Sequence, residues 1–128
     1  MLATLAEGMA RYAPAFGHLL TAADLAVHGA VEVALVGEPG EAGFGALAGE
    51  VARRYVPSLV LAGGRPGEGG GASLPLLADR PAIENRATGY VCRGYVCERP
   101  ATDPATLGAQ LADAARVGAA RGRGVATT

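Results

Sequence analysis

The two cysteines of the chain, Cys92 and Cys97, are the residues best suited to chemistry, and they lie five positions apart in the stretch ATGYVCRGYVCERPATDP. Their C-x-x-x-x-C spacing differs from the C-x-x-C of thiol oxidoreductases, in which a helix N-terminus activates the first thiol. Two ligands do not complete a zinc site within one chain. We predict reduced structural cysteines that behave as small buried hydrophobes, with a reversible disulfide as the alternative.

The turn between the cysteines decides whether they can form a disulfide. If Arg93 and Gly94 form a two-residue hairpin turn, Cys92 faces Tyr95 and the two thiols do not meet. If the loop is the four residues RGYV, Cys92 lies opposite Cys97 at a separation that a disulfide can span. The sequence leaves both geometries open, and the pair is therefore a candidate redox site.

A glycine-containing loop, GEPGEAG, follows a predicted strand and precedes a predicted helix, which is the position of a dinucleotide-binding loop. Its glycines, Gly37, Gly40 and Gly43, are spaced G-x-x-G-x-x-G rather than G-x-G-x-x-G. Glu38 and Glu41 would place negative charge beside a pyrophosphate. These glycines are weak cofactor-binding candidates, and we predict no bound cofactor. A second cluster, GGRPGEGGG, lacks the Lys and Ser/Thr of a P-loop and favours a linker.

No further set of residues points to catalysis or to a metal. Neither His18 nor His28 has a cysteine or carboxylate at a usual ligand spacing, so no metal site is predicted. All eleven basic residues are arginines, which excludes lysine-based catalysis. No Ser–His–Asp set is recognisable, and we predict no catalytic residues. Asp24 and His28 are i,i+4 neighbours that can pair on a helix.

The composition limits the classes of partner. Half of the residues are apolar but only 5% are aromatic, so the core must be aliphatic. A formal charge of −1 argues against binding to a nucleic-acid backbone, which requires a basic surface. We find neither a secretion signal nor an apolar run of about 18 residues, so the expected location is cytoplasmic and no membrane contact is expected.

Residues 1–28 are predicted to be helical, with an interruption at Pro14 and an end at Gly29. The apolar positions at helical spacing are Leu2, Leu5, Met9, Phe16, Leu19, Leu20, Ala23 and Val27.

Two aliphatic runs, VEVALVG (31–37) and VPSLVLA (56–62), are typical of strands buried on both faces of a parallel sheet. The predicted helix between them has one apolar face, formed by Phe44, Leu47, Val51 and Tyr55. Strand, helix and strand over about 32 residues indicate a βαβ unit.

The remainder of the chain is predicted to contain a flexible connection (63–73), a strand in TGYVC (88–92) and a helix that Asp103 caps. The apolar stripe of that helix comprises Leu107, Leu111, Ala114 and Ala115. We therefore predict a small three-layer α/β module with a mostly parallel sheet. Its predicted divisions are a helical segment (1–29), the α/β module (30–116) and a disordered tail (117–128).

Several segments, taken in order, resemble the C-terminal end of the thioredoxin-domain-containing proteins of the YyaL type, which are related to the spermatogenesis-associated thioredoxin-like protein of animals. The segments are YAPAFGHLLTAAD, VEVALVG, YVPSLVLA, LPLL and ATGYVCRGYVCERPATDPATLGAQL. The last of them, with its two cysteines followed by P-x-T-D-P, is the most specific. The resemblance covers residues of about 10 to 115.

Proteins of this family are longer. The resemblance implies an N-terminal thioredoxin-like domain with a Cys-x-x-Cys motif, followed by an α/α toroid similar to N-acylglucosamine epimerases and six-hairpin glycosidases. No position in this chain matches the cysteines of that motif, whereas Cys92 and Cys97 match the family's C-terminal pair. The chain is then expected to be a fragment, or the product of a split gene, that begins within the last hairpin of the toroid.

The resemblance implies a non-catalytic structural or interaction module. Its expected partners are the missing toroid and thioredoxin-like domains, with self-association through residues 1–28. The alternatives are a thiol–disulfide accessory module that uses Cys92 and Cys97, and a weak nucleotide-binding module.

Overall fold

The computed structural model describes residues 1–68 and 74–122, in which a four-stranded sheet is flanked by helices. In chain order the elements are α1 (Leu2–Arg11), a 3-10 turn (Ala13–Phe16), α2 (Gly17–His28), β1 (Val31–Val36), α3 (Ala42–Ala52), β2 (Leu59–Gly64), a 3-10 turn (Pro75–Leu77), β3 (Thr88–Arg93), β4 (Val96–Cys97) and α4 (Pro104–Gly122). Within the described residues, no helix is both long enough and apolar enough to span a membrane. Part of the predicted tail, 123–128, lies outside the described residues.

The predicted βαβ unit is confirmed. Strand β1 pairs in parallel with β2, Val33 lying opposite Leu61, and α3 connects the two strands. The predicted interruption of the N-terminal helix is confirmed as well, because Pro14 lies in the 3-10 turn that separates α1 from α2. Proline lacks a backbone N–H and cannot continue an α-helix without a break.

The α/β class is confirmed, but the expectation of a mostly parallel sheet is not accurate. The strand order is β2-β1-β3-β4, and only the β1–β2 pairing is parallel; β1–β3 and β3–β4 are antiparallel. A further parallel strand would require a crossover, usually a helix, that carries the chain back across the sheet. The described part of the connection between Gly64 and Thr88 contains only a three-residue 3-10 turn. The chain therefore crosses β1 and enters β3 at the same end of the strands at which β2 finished, so β3 runs antiparallel to β1.

The second strand also differs from its prediction. It begins at Leu59 rather than at residue 56, because Pro57 and Ser58 form a turn in which Ser58 has a φ of 62°. It lies at the edge of the sheet, and its Val60 and Leu61 side chains are 44% and 49% exposed. The prediction that it is buried on both faces is therefore wrong.

The larger core lies between the sheet and helices α3 and α4. Its buried members are Val31, Val33, Leu35, Leu47, Val51, Val56, Val91, Ala101, Leu107 and Leu111. The third layer is formed by the 3-10 segment on the opposite face of the sheet. That smaller cluster comprises Ala34, Val36, Leu77 and Tyr90.

Helix α4 begins as predicted. Thr106 donates its backbone N–H to Oδ1 of Asp103 at 2.8 Å and its hydroxyl to Oδ2 at 2.7 Å. These hydrogen bonds, the backbone one first, lower the pKa of Asp103. An acceptor at this position satisfies a backbone donor that has no partner within the helix.

A hydrogen-bonded carboxylate joins α2 to the start of β2. Ser58 donates its hydroxyl to Oδ2 of Asp24 at 2.8 Å, and Nδ1 of His28 lies 2.7 Å from Oδ1. The predicted Asp24–His28 pair is therefore present. Both contacts, the Ser58 hydrogen bond first, lower the pKa of Asp24 from its ordinary value of 3.8.

This arrangement predicts a pH-dependent contribution from Asp24. A carboxylate with a lowered pKa adds stability above its unfolded pKa, and that stability is lost as the pH falls through the folded value. We expect Asp24→Asn to lower the Tm at pH 5, and the difference from the wild type to shrink as the pH falls below about 4. Thermal melts followed by circular dichroism measure both. Asp113→Asn, the same change on the exposed surface of α4, is the control, and an equal effect of the two variants would contradict the prediction.

Candidate functional site

The two cysteines are held by a tight hairpin at the end of the sheet. Strand β3 continues to Arg93, which pairs with Val96, and Gly94 and Tyr95 form the turn between them. Both turn residues have positive φ, 55° and 66°, as two-residue hairpin turns of type I′ require. Glycine adopts this conformation readily, whereas tyrosine adopts it rarely.

This turn places the cysteines directly opposite each other. Cys92 pairs with Cys97 in the register of β3 and β4, with a Cα–Cα distance of 3.9 Å. The backbone N–H of Glu98 donates to the carbonyl of Val91 at 2.8 Å. The cysteines therefore occupy a pair without mutual backbone hydrogen bonds, where facing side chains lie closest.

The sulfur atoms of Cys92 and Cys97 are joined in a disulfide. The prediction of two reduced cysteines is therefore wrong for this structure, and the disulfide alternative describes it. The turn is neither of the two that the sequence suggested, since it consists of Gly94 and Tyr95 rather than Arg93 and Gly94 or all four residues. Pairing of Arg93 with Val31 extends β3 by one residue and moves the turn forward.

The two cysteine residues differ in their exposure to solvent. Cys92 is 2% exposed, whereas Cys97 belongs to an edge strand whose residues are exposed. Cys92 lies across from Glu32 of β1, so its side chain is on the face of the sheet that the 3-10 segment covers. Residue Cys92 is therefore protected within the fold, whereas residue Cys97 is exposed.

A single arginine approaches both sulfurs. Nη2 of Arg80 lies 3.5 Å from Sγ of Cys92 and 4.0 Å from Sγ of Cys97. Its Nη1 donates to the carbonyl of Leu76, and its guanidinium carbon lies 5.9 Å from the centre of the Tyr90 ring. The guanidinium is thus held from two sides next to the disulfide.

Tyr90 and an open cleft complete the surroundings. The Tyr90 hydroxyl donates to the carbonyl of Pro81 at 2.6 Å, and burial raises the pKa of this hydroxyl. Beside Arg80 lies a cleft of about 350 Å³, lined by Glu32, Val60, Pro75, Leu76 and Arg80. Arg80 could not be singled out from the sequence, because it lies twelve positions before Cys92 and approaches it only in the folded chain.

Other residues of the chain pack against the predicted glycine loop. A Cβ on Gly37 would lie 3.1 Å from Ala87 and 3.3 Å from Phe44, so this glycine permits close packing. Glu38 accepts hydrogen bonds from Arg65 at 2.8 to 3.1 Å, which lower the pKa of Glu38. These contacts provide no donor group for a phosphate. Nucleotide binding through Gly37, Gly40 and Gly43 stays a prediction without a supporting contact.

The histidines lie apart from the disulfide. His28 contacts Asp24, and His18 lines an open depression beside the 3-10 turn that precedes α2. Among residues 1–68 and 74–122, no three His, Cys, Asp or Glu side chains are arranged to hold a metal ion.

The fold and this geometry define a small α/β module with a cross-strand disulfide between a buried and an exposed cysteine. The chain is weakly homologous, over partial stretches, to spermatogenesis-associated protein 20. It is 40% identical to the human protein over 55 residues (41% of this chain), 35% identical to the mouse protein over 78 residues (59%) and 29% identical to the rat protein over 109 residues (84%).

These relatives are much longer proteins. The matched stretches represent 7%, 10% and 14% of the human, mouse and rat proteins. No protein-family model matches the chain. No solved structure matches it. The homology supports a relationship with a family of uncertain function.

We expect the disulfide to stabilise the folded chain modestly. It joins residues five positions apart, and closing so short a loop restricts the unfolded chain by an amount worth about 2 kcal/mol. Urea denaturation with and without reductant should show a difference of that size in the free energy of unfolding. The Cys92→Ser/Cys97→Ser variant should show no difference on adding reductant. A reductant effect of the same size in that variant would contradict the prediction.

Proposed function

We propose that this chain is a non-catalytic structural and interaction module of a longer thioredoxin-domain-containing, toroid-bearing protein related to spermatogenesis-associated protein 20. The observation that carries this proposal is the apolar surface of the N-terminal helices. Leu5, Leu20, Leu25 and Val27 are 38%, 36%, 43% and 73% exposed. Apolar side chains exposed on a helix surface are typical of interfaces.

Contacts within the N-terminal segment cover some of its apolar side chains and leave others available for the proposed interface. Met9 is buried and Phe16 is partly covered, with the Phe16 ring 3.4 Å from a Cβ built on Gly8. The expected apolar face at Leu2, Leu5 and Met9 is thus not wholly free, because Met9 is covered. Leu20 and Val27 are seven positions apart, which places both on one face of α2. This face is the proposed contact with the rest of the longer protein.

Without that neighbour, we expect copies of the chain to associate through the same face. Sedimentation velocity at micromolar concentration should show dimers or larger species. Leu20→Glu/Val27→Glu should shift the population towards the monomer, because charge replaces the buried apolar contact.

The matched control introduces two glutamates elsewhere on the exposed surface. Tyr55→Glu/Val96→Glu replaces side chains that are 90% and 75% exposed and lie outside α1 and α2. This variant should sediment as the wild type does. A monomeric wild type, or an equal effect of the two double variants, would contradict the self-association.

The disulfide supports a second candidate function, that of a thiol–disulfide accessory module for a thioredoxin-like domain. The accessible position of Cys97 favours it, since thiol–disulfide exchange requires that an attacking thiolate reach a sulfur atom. Non-catalytic packing of the hairpin does not require this access.

A thiol titration under native conditions tests this second function. We expect no reactive thiols in the purified chain, two after mild dithiol treatment, and none after reoxidation with oxidised glutathione. Circular dichroism should remain unchanged throughout. Release of the thiols only after addition of a denaturant would exclude reversible exchange in the folded chain.

A further inference from the structure

We infer that the disulfide is polarised: an external dithiol attacks Sγ of Cys97, Cys92 is the leaving sulfur, and Arg80 stabilises the charge that develops on Cys92. This inference rests on the redox function proposed above, and it assigns a separate role to each sulfur. It is carried by the unequal exposure of the two cysteines and by the position of the guanidinium.

Access determines which sulfur is attacked. Exchange proceeds by approach of a thiolate to one sulfur of the disulfide, with the other sulfur departing. Cys92 is 2% exposed and lies on the covered face of β3, whereas Cys97 lies in the exposed edge strand. The attacking thiolate therefore reaches Cys97.

The position of the Arg80 charge also favours attack on Cys97 and departure of Cys92. The leaving sulfur acquires the negative charge, and Nη2 of Arg80 is nearer to Cys92 than to Cys97, at 3.5 Å against 4.0 Å. No carboxylate oxygen lies within 4.0 Å of the Arg80 guanidinium in the described residues, so no ion pair of that kind neutralises it. The acidic residue Glu32 lies across from Cys92 on β1 and lines the same cleft as Arg80.

The exchange balances in two steps. A thiolate of the dithiol forms a bond to Sγ of Cys97 as the Cys92–Cys97 bond breaks, and the electron pair leaves on Cys92, which then takes a proton from water. The second thiolate of the dithiol attacks the dithiol's own sulfur in the mixed disulfide, the electron pair leaves on Cys97, and Cys97 takes a second proton from water. The dithiol loses two electrons and two protons and becomes a disulfide, while the cysteine pair is reduced.

Two contacts fix the Arg80 guanidinium beside the disulfide, and Arg80 is therefore a positioning residue for this reaction. Its Nη1 is bonded to the carbonyl of Leu76, and its plane lies near the Tyr90 ring. Cation–aromatic and carbonyl contacts keep the charge in place without cancelling it. The guanidinium is then available to the Cys92 sulfur at the moment of bond breaking.

The first experiment locates the attacked sulfur. The full oxidised chain is incubated with reduced glutathione, quenched with excess N-ethylmaleimide near neutral pH, and mapped by peptide mass spectrometry. Trypsin cleaves after Arg93, which lies between the two cysteines, so the peptides distinguish them. We expect glutathione on Cys97 and the alkyl group on Cys92. Glutathione mainly on Cys92, or equally on both, would overturn the inference.

The second experiment tests the charge. The rate of reduction by dithiothreitol at fixed pH should fall about fivefold in Arg80→Gln and remain within about twofold of wild type in Arg80→Lys. Arg86→Gln is the control, because Arg86 is exposed and pairs with Glu84 instead. An unchanged rate in Arg80→Gln, or equal slowing in the Gln and Lys variants, would overturn the role of Arg80. Circular dichroism confirms that each variant is folded.

The outcomes separate this inference from the function on which it rests. If dithiothreitol does not reduce the native chain at all, the redox function fails. If reduction occurs but glutathione labels Cys92, or the Arg80 charge has no effect, the redox function stands and the polarised mechanism fails.

Discussion

The hydrogen bonds that β1 makes on both of its sides are the constraint on which the rest of the structure depends. On one side β1 pairs in parallel with β2, and on the other it pairs antiparallel with β3. Its side chains alternate between the two clusters, Val31, Val33 and Leu35 facing α3 and α4 while Ala34 and Val36 face the 3-10 segment. Displacing a strand that is paired on both edges and covered on both faces costs the protein more stability than displacing an edge strand.

The geometry of the cysteine pair depends on the pairing of β1. Because Arg93 is paired with Val31, β3 cannot end earlier, and the turn must begin at Gly94. The next strand then returns in the one register that places Cys97 opposite Cys92. A shift of one residue would turn Cys97 to the other face of the sheet. The disulfide thus follows from the central pairing and from a turn that tolerates two positive φ angles.

The sequence predicted those parts of the fold that depend on local chemistry. The aliphatic runs around Val31 and Leu59, the break at Pro14 and the cap at Asp103 each have a nearby physical cause, and each is present. The direction of β3 could not be predicted, because it depends on how the chain returns from β2 and not on any periodicity within TGYVC. Among the residues of the site, the cysteines were evident from their type, but their register and Arg80 depend on contacts between distant segments.

The two outer strands give the sheet unlike ends. Strand β4 is two residues long and is closed by the hairpin, whereas β2 is six residues long, and within the described residues no strand pairs with its outer edge. Proteins often protect such an edge with lysine, but this chain has none. Val60 and Leu61 are also partly exposed there. The outer edge of β2 is therefore the longer of the two edges of the sheet, and it is where an additional strand would form the most backbone hydrogen bonds.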